Sequence, residues 1–582
     1  MTACGPNGAR RTRRHKMADA FDVIIVGSGA GGGMAAYELT RRGLKVLMLE
    51  AGRNYDPLTE TPMFETPDKA PLRGEPTPDK PFGYYDATID GGWEVPGEPY
   101  TVAEGSEPFK WWRARMLGGR TNHWGRISLR FGPYDFKPHS RDGLGVDWPV
   151  DYDEIAPWYD RVERLIGVCG GPAQGLENIP DSPPGVLQPA PPPKPYELLV
   201  SRAFASMGIP SAPVRAAILT RPLNGRSACF YATSCIRGCA IRANFQSPTV
   251  LLPPALATGN LAIRTDAMVY QVDLDRTGRA SGVSFVDRRT GAHHTVQGRA
   301  VVLSAGAGET ARILLNSKSG QFPNGIGNDR GLVGRYLMDT VGTKVTAQIP
   351  ALEGMPITND DGMSILHTYI PWWGHAAQSR GELDFPRGYH IEMGGGRAMP
   401  GMALAEWLDD GTGARGPALR ATMRRRYGSV IRMSSRGEMV PNEDSFCDID
   451  PGVKDRFGIP VLRFHWKWGE HEIRQATHSM TTFAEVVDRM GGRFVTPIDR
   501  DGRKAISKGG EIIHEVGTAR MGASEQTSVV DEFGRSWAVR NLFVADGAVM
   551  ASSPDKNPTL SILALSWRTS ANLADLAARG EL

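Results

Sequence analysis

A glycine-rich turn near the start of the chain has the residues and the spacing that bind the phosphates of a dinucleotide. Gly27, Gly29 and Gly32 follow the apolar run Val23–Val26, and Glu50 lies 23 residues after Gly27. In this pattern the first glycine permits a tight turn, the second lets the backbone approach a pyrophosphate, and the third lets a helix pack closely on the strand. A carboxylate at Glu50 can accept hydrogen bonds from ribose hydroxyls. The turn therefore predicts a site for NAD or FAD.

Three of the six cysteines, Cys229, Cys235 and Cys239, lie in the short segment 228–239. Zinc sites usually have four ligands and Cys-x-x-Cys pairs, so zinc fits this spacing poorly. Three cysteines cannot all pair with one another as disulfides. Thiolates on one loop suit an iron–sulfur cluster, and three of them suit a three-iron form. The alternative is that they are small buried residues of a core, as we expect for the isolated Cys169 and Cys447.

Apolar periodicity indicates the elements that position these residues. "KVLMLE" reads as a second strand, residues 53–110 read as loop, and residues 171–195 form a proline-rich connector. Residues 261–303 predict a small meander, after which "AVVLSAGAGETARILLNS" predicts a strand, a glycine turn and a helix that rejoin the first sheet. Residues 335–500 predict alternating strands and contain several aromatic residues. Residues 508–582 predict glycine turns, a short strand and a long helix.

Composition and charge exclude several classes of protein. The chain is 41% hydrophobic and 23% charged, as is ordinary for a globular protein, and no apolar run is long enough to span a bilayer. Residues 1–16 carry five positive and no negative charges, so that the net charge of +3 leaves −2 for the remaining chain. This balance does not favour nucleic-acid binding. We expect residues 1–16 to be a disordered arm rather than a signal peptide, despite their two arginine pairs.

Four separated motifs resemble those of the glucose–methanol–choline (GMC) flavoprotein oxidoreductases. They are "GSGAGGG…LEAG", "GGRTNHWG", "SAGAGETARILL" and "HEVGTARMG…NLFVADG…NPTLSILAL", and the resemblance runs from about Asp22 to the C-terminus. Within the family, the C-terminal motifs look most like those of bacterial sugar and glycoside dehydrogenase catalytic subunits. The resemblance implies an α/β (α+β) fold in which a Rossmann-like FAD-binding domain with a β-meander is joined to a mixed-sheet substrate-binding domain.

The resemblance also divides the chain. Residues 17–334 would form the FAD-binding domain with the Pro-rich insertions and the cysteine loop, residues 335–507 the substrate-binding domain, and residues 508–582 a return to the first domain with the catalytic residues. FAD would be the working cofactor. His514 would be the base that takes a proton from an alcohol while its hydride goes to flavin N5, and Asn557 would fix the alcohol. Asn557 would also cap a helix that begins at Pro558.

The remaining site residues follow from the same motifs. His123 has the spacing at which several family members attach the flavin covalently, while other members with a similar local sequence do not. Besides Gly27, Gly29, Gly32 and Glu50, the cofactor contacts implied by the resemblance are Gly118, Gly119, Asn122, His123, Asp546, Gly547, Pro558 and Thr559. The cysteine spacing is similar to that of the cluster loop of bacterial FAD-dependent glucose and fructose dehydrogenases, which implies a 3Fe-4S cluster, a cytochrome c-type acceptor and a small escort subunit.

The resemblance implies oxidation of a secondary hydroxyl of a sugar or glycoside, at carbon 3, by a dehydrogenase. Tyr369, Trp372 and Trp373 could stack on a sugar ring or could belong to a core. Rival interpretations are an oxygen-using sugar oxidase similar to pyranose oxidases, a dehydrogenase of non-sugar alcohols or sterols, and a flavin-binding protein without activity. We expect a cytoplasmic protein, or a periplasmic one if a partner subunit carries the export signal.

Overall fold

The structure is a computed structural model that describes residues 21–61, 90–171, 176–231, 235–356, 366–397 and 414–582, with the single residues 63, 69, 72, 233 and 362. The predicted arm 1–16 lies outside these residues. Among them, seven strands form a sheet around the strand that precedes the glycine turn. They are Phe21–Val26, Val46–Leu49, Leu261–Arg264, Ala267–Leu274, Ala280–Asp287, His293–Leu303 and Leu542–Val544.

The centre of this sheet is parallel and buried on both faces. The first strand pairs in parallel with Val46–Leu49 on one side and with His293–Leu303 on the other. Leu261–Arg264 and Leu542–Val544 extend the parallel part at its two edges. Val23, Ile24 and Ile25 expose none of their surface, as expected of a parallel strand covered by helices. All five strands therefore end at the same edge of the sheet.

The strand His293–Leu303 joins the meander to the parallel sheet. Its first half pairs antiparallel with Ala280–Asp287, and its second half lies between the first strand and Leu542–Val544. The meander predicted over residues 261–303 is therefore partly wrong. Leu261–Arg264 belongs to the parallel sheet, and the two predicted segments "HTVQGR" and "AVVL" are one continuous strand. Polar residues alternate only in the first half, because the second half is covered on both faces.

Helices cover both faces of the first sheet. The helix Ala30–Arg41 follows the glycine turn, and the C-terminal helix Thr559–Ala578 packs beside it. Their contact is polar as well as apolar, since Ser566 Oγ donates to Gly31 O at 2.7 Å and Trp567 Nε1 donates to Glu38 at 2.9 Å. The other helices of six residues or more are Tyr152–Ile166, Pro195–Ala205, Leu252–Ala257, Ala307–Asn316, Gly416–Arg426 and Glu470–Arg489.

A second, antiparallel sheet has its own core. Its strands are, in spatial order, Tyr389–Gly395, Val430–Gly437, Lys344–Gln348 and Arg493–Phe494. The helix Glu470–Arg489 supplies Phe483, Val486 and Val487 to this core. A three-stranded sheet of Phe446–Lys454, Pro460–His465 and Thr101–Val102 stands apart from both. The shorter strands are Gly91–Gly92, Arg113–Ala114, Cys169–Gly170, Gln188–Pro189, Ala212–Pro213 and Thr368–Tyr369.

The predicted fold class is confirmed: a Rossmann-like α/β part with a meander is joined to a four-stranded antiparallel sheet and a three-stranded mixed sheet. The predicted domain boundaries at residues 334 and 507 stay a prediction. Among the described residues, no helix is both long and apolar enough to cross a membrane.

The amide of Asn541 ties three segments of the first sheet together. Its Nδ2 donates to Ala280 O at 2.8 Å and to Arg299 O at 2.7 Å, and its Oδ1 accepts from Ala280 N at 2.9 Å. Because Asn541→Ala leaves these buried backbone groups without partners, we expect it to lower the free energy of unfolding by about 2–4 kcal/mol.

Asn260→Ala is the matched control, because this amide makes a single hydrogen bond, from Nδ2 to Thr40 O. We expect it to cost about 1 kcal/mol. Urea denaturation followed by circular dichroism measures both variants. Equal losses would contradict the role given to Asn541.

Candidate active site

A long cleft opens where the parallel strands end. Ligands of open α/β sheets bind at this edge, because the loops that leave the strands diverge there. The cleft is lined by the glycine turn, by the second glycine turn that follows His293–Leu303, and by the turn that follows Leu542–Val544. Of the residues predicted from the sequence, it is lined by Gly27, Gly29, Glu50, Gly119, His514, Asp546, Gly547, Pro558 and Thr559.

The glycines of the first turn divide into two kinds. A Cβ added at Gly32 would lie 1.9 Å from Gly27 O, and one added at Gly31 would lie 1.8 Å from Ala545 O. These two glycines are required by the packing of backbone on backbone. A Cβ added at Gly29 would meet no heavy atom within 4 Å. Packing within the chain therefore does not require glycine at position 29, and the open space beside it fits a group that approaches the backbone, as a pyrophosphate does.

Glu50 holds the glycine turn from the end of the second strand. Its Oε1 accepts from Gly52 N at 2.7 Å, and its Oε2 accepts from the N–H and the hydroxyl of Ser28. The Ser28 hydroxyl in turn accepts from Gly118 N at 2.8 Å. The carboxylate predicted to meet a ribose thus also links the first turn to the segment that contains Gly118.

Asp546 joins the two other turns of the cleft. Its Oδ2 accepts from Gly306 N at 2.9 Å and from Thr310 Oγ1 at 2.6 Å, and its Oδ1 accepts from Ala548 N at 2.9 Å. Burial raises the pKa of this carboxyl. Asp546 therefore fixes the C-terminal turn against the second glycine turn, and its placement on the cleft wall follows from these bonds.

Asn122 and His123 lie behind the cleft wall. Asn122 is fully buried and donates to Leu117 O at 2.9 Å. His123 Nε2 accepts from Trp112 Nε1 at 3.0 Å, and burial lowers the pKa of the imidazole to about 3. Among the described residues, the cleft wall at this point is made by Trp111, Trp112, Gly119 and Arg120 instead. Covalent attachment of a flavin through His123 stays a prediction. Gly32, Gly118 and Asn557 also stand behind the lining residues.

His514 lies at the far end of the cleft with one ring nitrogen engaged. Its Nδ1 is 3.0 Å from Thr340 Oγ1, and its backbone N donates to Asp339 Oδ1 at 2.9 Å. Burial, helped by the nearby Arg436, lowers the pKa of the imidazole to about 3. The ring is therefore neutral at physiological pH, and Nε2 is the nitrogen that remains for a ligand in the cleft.

Asn557 is oriented by a buried carboxylate. Its Nδ2 donates to Glu392 Oε1 at 3.1 Å, while its buried Oδ1 has no hydrogen-bond partner among the described residues. Glu392 is bound on its other side by Arg436, at 3.0 Å. Burial opposes ionisation of Glu392, but Arg436, His390 and Asn557 together hold the pKa of its carboxyl well below the ordinary range. A carboxylate accepts and does not donate, so the amide nitrogen of Asn557 faces Glu392 and its buried oxygen faces away from it.

The prediction that Asn557 caps the last helix is wrong. The helix begins at Thr559 with Pro558 in the cap position, and no side chain caps it. The Asn557 amide donates to Glu392 instead. Leaving a buried carboxylate without a donor costs more free energy than leaving uncapped a helix that follows a proline.

Charges behind Asn557 are all paired. Lys556 lies between Asp135, at 3.0 Å, and Asp555, at 2.5 Å. His390 Nδ1 contacts Asp555 O, and its Nε2 is 3.4 Å from Glu392 Oε1. This buried chain of hydrogen bonds anchors the segment that leads into Asn557.

Several residues of this region have no signal that we recognised in the sequence. Glu392 and Arg436 stand in ordinary strands, Thr340 in a loop, and Arg120 in the short 3-10 helix Gly119–Asn122. The one available sign was the alternation of His390 and Glu392 in "YHIEMGG", which places two polar side chains on the same face of a strand. An inward-facing carboxylate on a strand is rarely buried unless it has a partner or a ligand.

The aromatic residues singled out as sugar-stacking candidates belong to cores. Trp372 packs in the core of the second sheet with Tyr389 and Phe385, and Trp373 lies against it. Tyr369 is buried in a separate cluster. Stacking of these three rings on a sugar therefore has no support in the structure.

Cys229, Cys235 and Cys239 all line one small cavity, together with Met63 and Thr233. Burial raises the pKa of the Cys239 thiol, which opposes formation of a thiolate. Within the described part of the chain, no group of three or more His, Cys, Asp or Glu side chains is arranged to hold a metal ion. The geometry therefore gives no support to the predicted iron–sulfur ligands, although the three cysteines do meet. Cys169 and Cys447 are buried, as expected, and Cys169 shares an apolar cluster with Cys235 and Cys229.

Comparison with known proteins decides between the two dinucleotides. Profiles of the GMC oxidoreductase family match residues 21–341 and 441–566 of the chain. The chain is a GMC oxidoreductase. Members of this family bind FAD and act on CH–OH groups, so the expected resemblance, enzyme class and flavin cofactor are confirmed at this level.

Two relatives and one solved structure illustrate the similarity. The chain is 30% identical over 564 residues to the 2-methyl-1,2-propanediol dehydrogenase of Mycolicibacterium austroafricanum. The aligned residues cover 95% of this chain and 94% of the relative. It is 28% identical to the fructose dehydrogenase large subunit of Gluconobacter japonicus, over 94% and 96% of the two chains. A structure of the formate oxidase of Aspergillus oryzae RIB40, determined in a study of FAD modification, superposes with a TM-score of 0.64 at 14% identity, over 98% and 100% of the chains.

The GMC oxidoreductase should lose flavin, but not its fold, when Gly29 is replaced. Because an added Cβ at this position meets no protein atom, Gly29→Ala should keep its unfolding midpoint and bind FAD roughly tenfold or more weakly. Gly32→Ala should instead lower the unfolding midpoint, since its Cβ would collide with Gly27 O and separate the helix from the strand. Flavin content by absorbance at equal protein, and thermal unfolding of apoprotein, measure both effects. A Gly29→Ala variant with full flavin affinity would contradict the assignment.

Proposed function

We propose that this GMC oxidoreductase oxidises a secondary hydroxyl of a sugar or glycoside, at carbon 3, with His514 as the base. The observation that carries the proposal is a neutral imidazole on the cleft wall near a buried amide oxygen that has no hydrogen-bond partner among the described residues. His514 lines the cleft with Nδ1 engaged, and Asn557, directly before the cleft-lining Pro558, is held by Glu392 through its amide nitrogen.

Oxidation of an alcohol to a ketone removes a hydride from carbon and a proton from oxygen. FAD, when bound, supplies the acceptor of the hydride. The proton passes from the hydroxyl to Nε2 of His514, which is neutral and therefore able to receive it. Thr340 fixes the ring plane through Nδ1, so that the lone pair of Nε2 keeps one direction.

Asn557 orients the substrate without taking part in proton transfer. Its Oδ1 accepts a hydrogen bond from a hydroxyl, since Glu392 occupies the amide nitrogen. A sugar offers neighbouring hydroxyls, one of which can donate to Asn557 while the reacting one donates to His514. Holding two points of the ring fixes which C–H bond faces the flavin.

The choice of carbon 3 rests on the resemblance of the C-terminal motifs to those of glycoside dehydrogenases. A second candidate substrate class has its own support, because one relative of 30% identity is a dehydrogenase of 2-methyl-1,2-propanediol. A small diol also offers two adjacent hydroxyls, so the same pair of acceptors would serve it. The two candidates differ in the size of the substrate and in the carbon that is oxidised.

A dehydrogenase needs an acceptor other than oxygen. The relative from Gluconobacter japonicus is named as a large subunit, which supports a partner subunit for this chain as well. We include in the proposal an escort subunit and a cytochrome c-type acceptor, with export to the periplasm on the partner's signal. An oxidase that passes electrons directly to oxygen is the alternative.

A substrate panel under two acceptor conditions tests the proposal. Purified holoenzyme is mixed with methyl α-D-glucopyranoside, D-glucose, D-fructose, D-gluconate or 2-methyl-1,2-propanediol, and reduction of 2,6-dichlorophenolindophenol is followed without oxygen and oxygen uptake without dye. We expect dye reduction with a glucoside, and a 3-keto product by NMR. The 3-deoxy glucoside should give no reduction. Turnover of the diol alone would establish the second candidate, and rapid oxygen uptake would establish an oxidase.

The iron–sulfur cluster remains a separate hypothesis. Its support is the spacing of Cys229, Cys235 and Cys239 in the sequence. Iron and acid-labile sulfide, measured with an EPR spectrum on protein purified without oxygen, test it directly. About three irons per flavin would support the cluster. Flavin-replete protein without iron would leave the cysteines as packing residues.

Replacing the base should slow chemistry more than binding. We expect His514→Gln to retain FAD and to reduce the rate of flavin reduction roughly 100- to 10,000-fold, because no base would take the hydroxyl proton as the carbon loses its hydride. Stopped-flow absorbance of the flavin under single-turnover conditions measures this rate.

His478→Gln is the matched control, since burial also lowers the pKa of the His478 imidazole, which contacts the Tyr389 hydroxyl in the second sheet and does not line the cleft. We expect it to change the rate of reduction by less than about tenfold. Comparable losses in the two variants would contradict the assignment of the base to His514.

A further inference from the structure

The segment that carries His514 has an unusual backbone. Ile513, immediately before His514, has a φ of +66°, in the left-handed region that β-branched residues rarely adopt. Ile513 and His514 both line the cleft, so this conformation is what turns the imidazole toward the ligand. A conformation of this kind persists only where the surrounding structure holds it.

The segment 338–340 holds that conformation from behind. Met338 and Val516 exchange two backbone hydrogen bonds of 3.0 Å, so the two segments run antiparallel. The carboxylate of Asp339 accepts from His514 N at 2.9 Å through Oδ1 and from Ile512 N at 3.3 Å through Oδ2. Asp339 thus binds the backbone on both sides of the left-handed residue. It is fully buried and does not itself line the cleft.

We propose that Asp339 is a positioning residue for His514, whose ionised carboxylate keeps the loop 509–518 in the conformation that presents the imidazole to the substrate. An ionised carboxylate has two oxygens that can each accept a backbone N–H. A protonated carboxyl would turn one O–H group toward the backbone N–H donors. The hydrogen bond from at least one of these N–H groups would then be weakened. The proposal rests on the function proposed for His514, and it adds a residue that neither the motifs nor the family resemblance assigns.

The charges around Asp339 support a change of its ionisation in the physiological range. Glu515 faces it from the same loop, His514 is neutral, and no cation of the described residues forms an ion pair with Asp339. Arg120, the nearest cation of the cleft wall, is bound to Glu515 at 2.5 Å. Arg436 and Glu392 face His514 on its other side. Burial, together with Glu515, raises the pKa of Asp339 to about 7.

The sign of the pH dependence follows. Because the pKa of Asp339 is raised, the carboxylate is ionised above pH 7 and is lost as the pH falls through that value. The imidazole of His514, with a pKa of about 3, stays neutral over the same range. The acidic limb of the pH profile for flavin reduction should therefore lie near pH 7. It should reflect protonation of the Asp339 carboxylate rather than of the His514 imidazole.

The test uses holoenzyme of the wild type and of three variants. Asp339→Asn keeps the size of the side chain but places an amide N–H₂ against one backbone donor. Glu515→Gln removes the neighbouring negative charge. Asp531→Asn is the matched control, because Asp531 is also buried with a raised pKa and accepts the backbone N–H groups of Phe533 and Arg535, at 3.0 and 2.9 Å, in a turn that does not line the cleft.

Amide hydrogen exchange gives a readout that needs no substrate. At pH 8 we expect Asp339→Asn to accelerate exchange in peptides covering residues 509–518 by about tenfold or more, with little change elsewhere. Asp531→Asn should leave this segment unchanged. Unchanged exchange in Asp339→Asn would overturn the proposal, whatever the substrate of the enzyme proves to be.

Kinetics supply the second readout, with the substrate of highest kcat/KM from the panel above. We expect Asp339→Asn to reduce kcat roughly 10- to 100-fold with KM changed less than about threefold, and to lose the acidic limb near pH 7. Glu515→Gln should keep the limb but move it to lower pH. A limb that is the same in Asp339→Asn as in the wild type would overturn the proposal, as would a limb in Glu515→Gln that does not move. Failure of all substrates would count against the proposed function and leave the exchange experiment to decide the role of Asp339.

Discussion

The whole site depends on the contact of three backbone segments around the first glycine turn. Gly31 lies against Ala545, and Gly27 lies against Ser304, at distances that leave no room for a side chain. The three segments are more than 200 residues apart along the chain, yet each ends a neighbouring parallel strand. Only because they approach this closely do the first glycine turn, Asp546 and the start of the last helix share one cleft.

This contact also determines where the chemistry can be. The strand Leu542–Val544 brings the C-terminal segment back to the first sheet, and the helix after Asn557 packs against the helix after Gly29. The antiparallel second sheet then contributes Glu392 and Arg436 from strands that contact this segment. Under the proposed function, substrate would bind at the end of the cleft that holds His514, beside Glu392 and Arg436.

Much of the first sheet could be predicted from the sequence, because local patterns determine it. An apolar run, a glycine turn and an amphipathic helix occur in order, and the same order recurs after His293–Leu303. The substrate side could not be predicted in this way. The bond from Asn557 to Glu392 joins residues 165 positions apart, and neither residue has a local pattern that indicates the other. The tryptophans showed the same limit: Trp111 and Trp112 line the cleft, while "PWWGH" packs into a core, although both are adjacent pairs.

Around His514 and Asn557 the electrostatics follow one arrangement: the charged side chains stand in ion pairs beside two neutral groups. His514 and Asn557 are uncharged, while Glu392 pairs with Arg436, Glu515 with Arg120, and Lys556 with two aspartates. An alcohol is neutral, so an unpaired charge beside it would bind water more strongly than substrate. The pairs nevertheless matter, because a buried carboxylate that can only accept fixes the direction of each amide that it touches. Under the proposed function, these charges therefore act on the substrate indirectly, by orienting the neutral groups that would meet it.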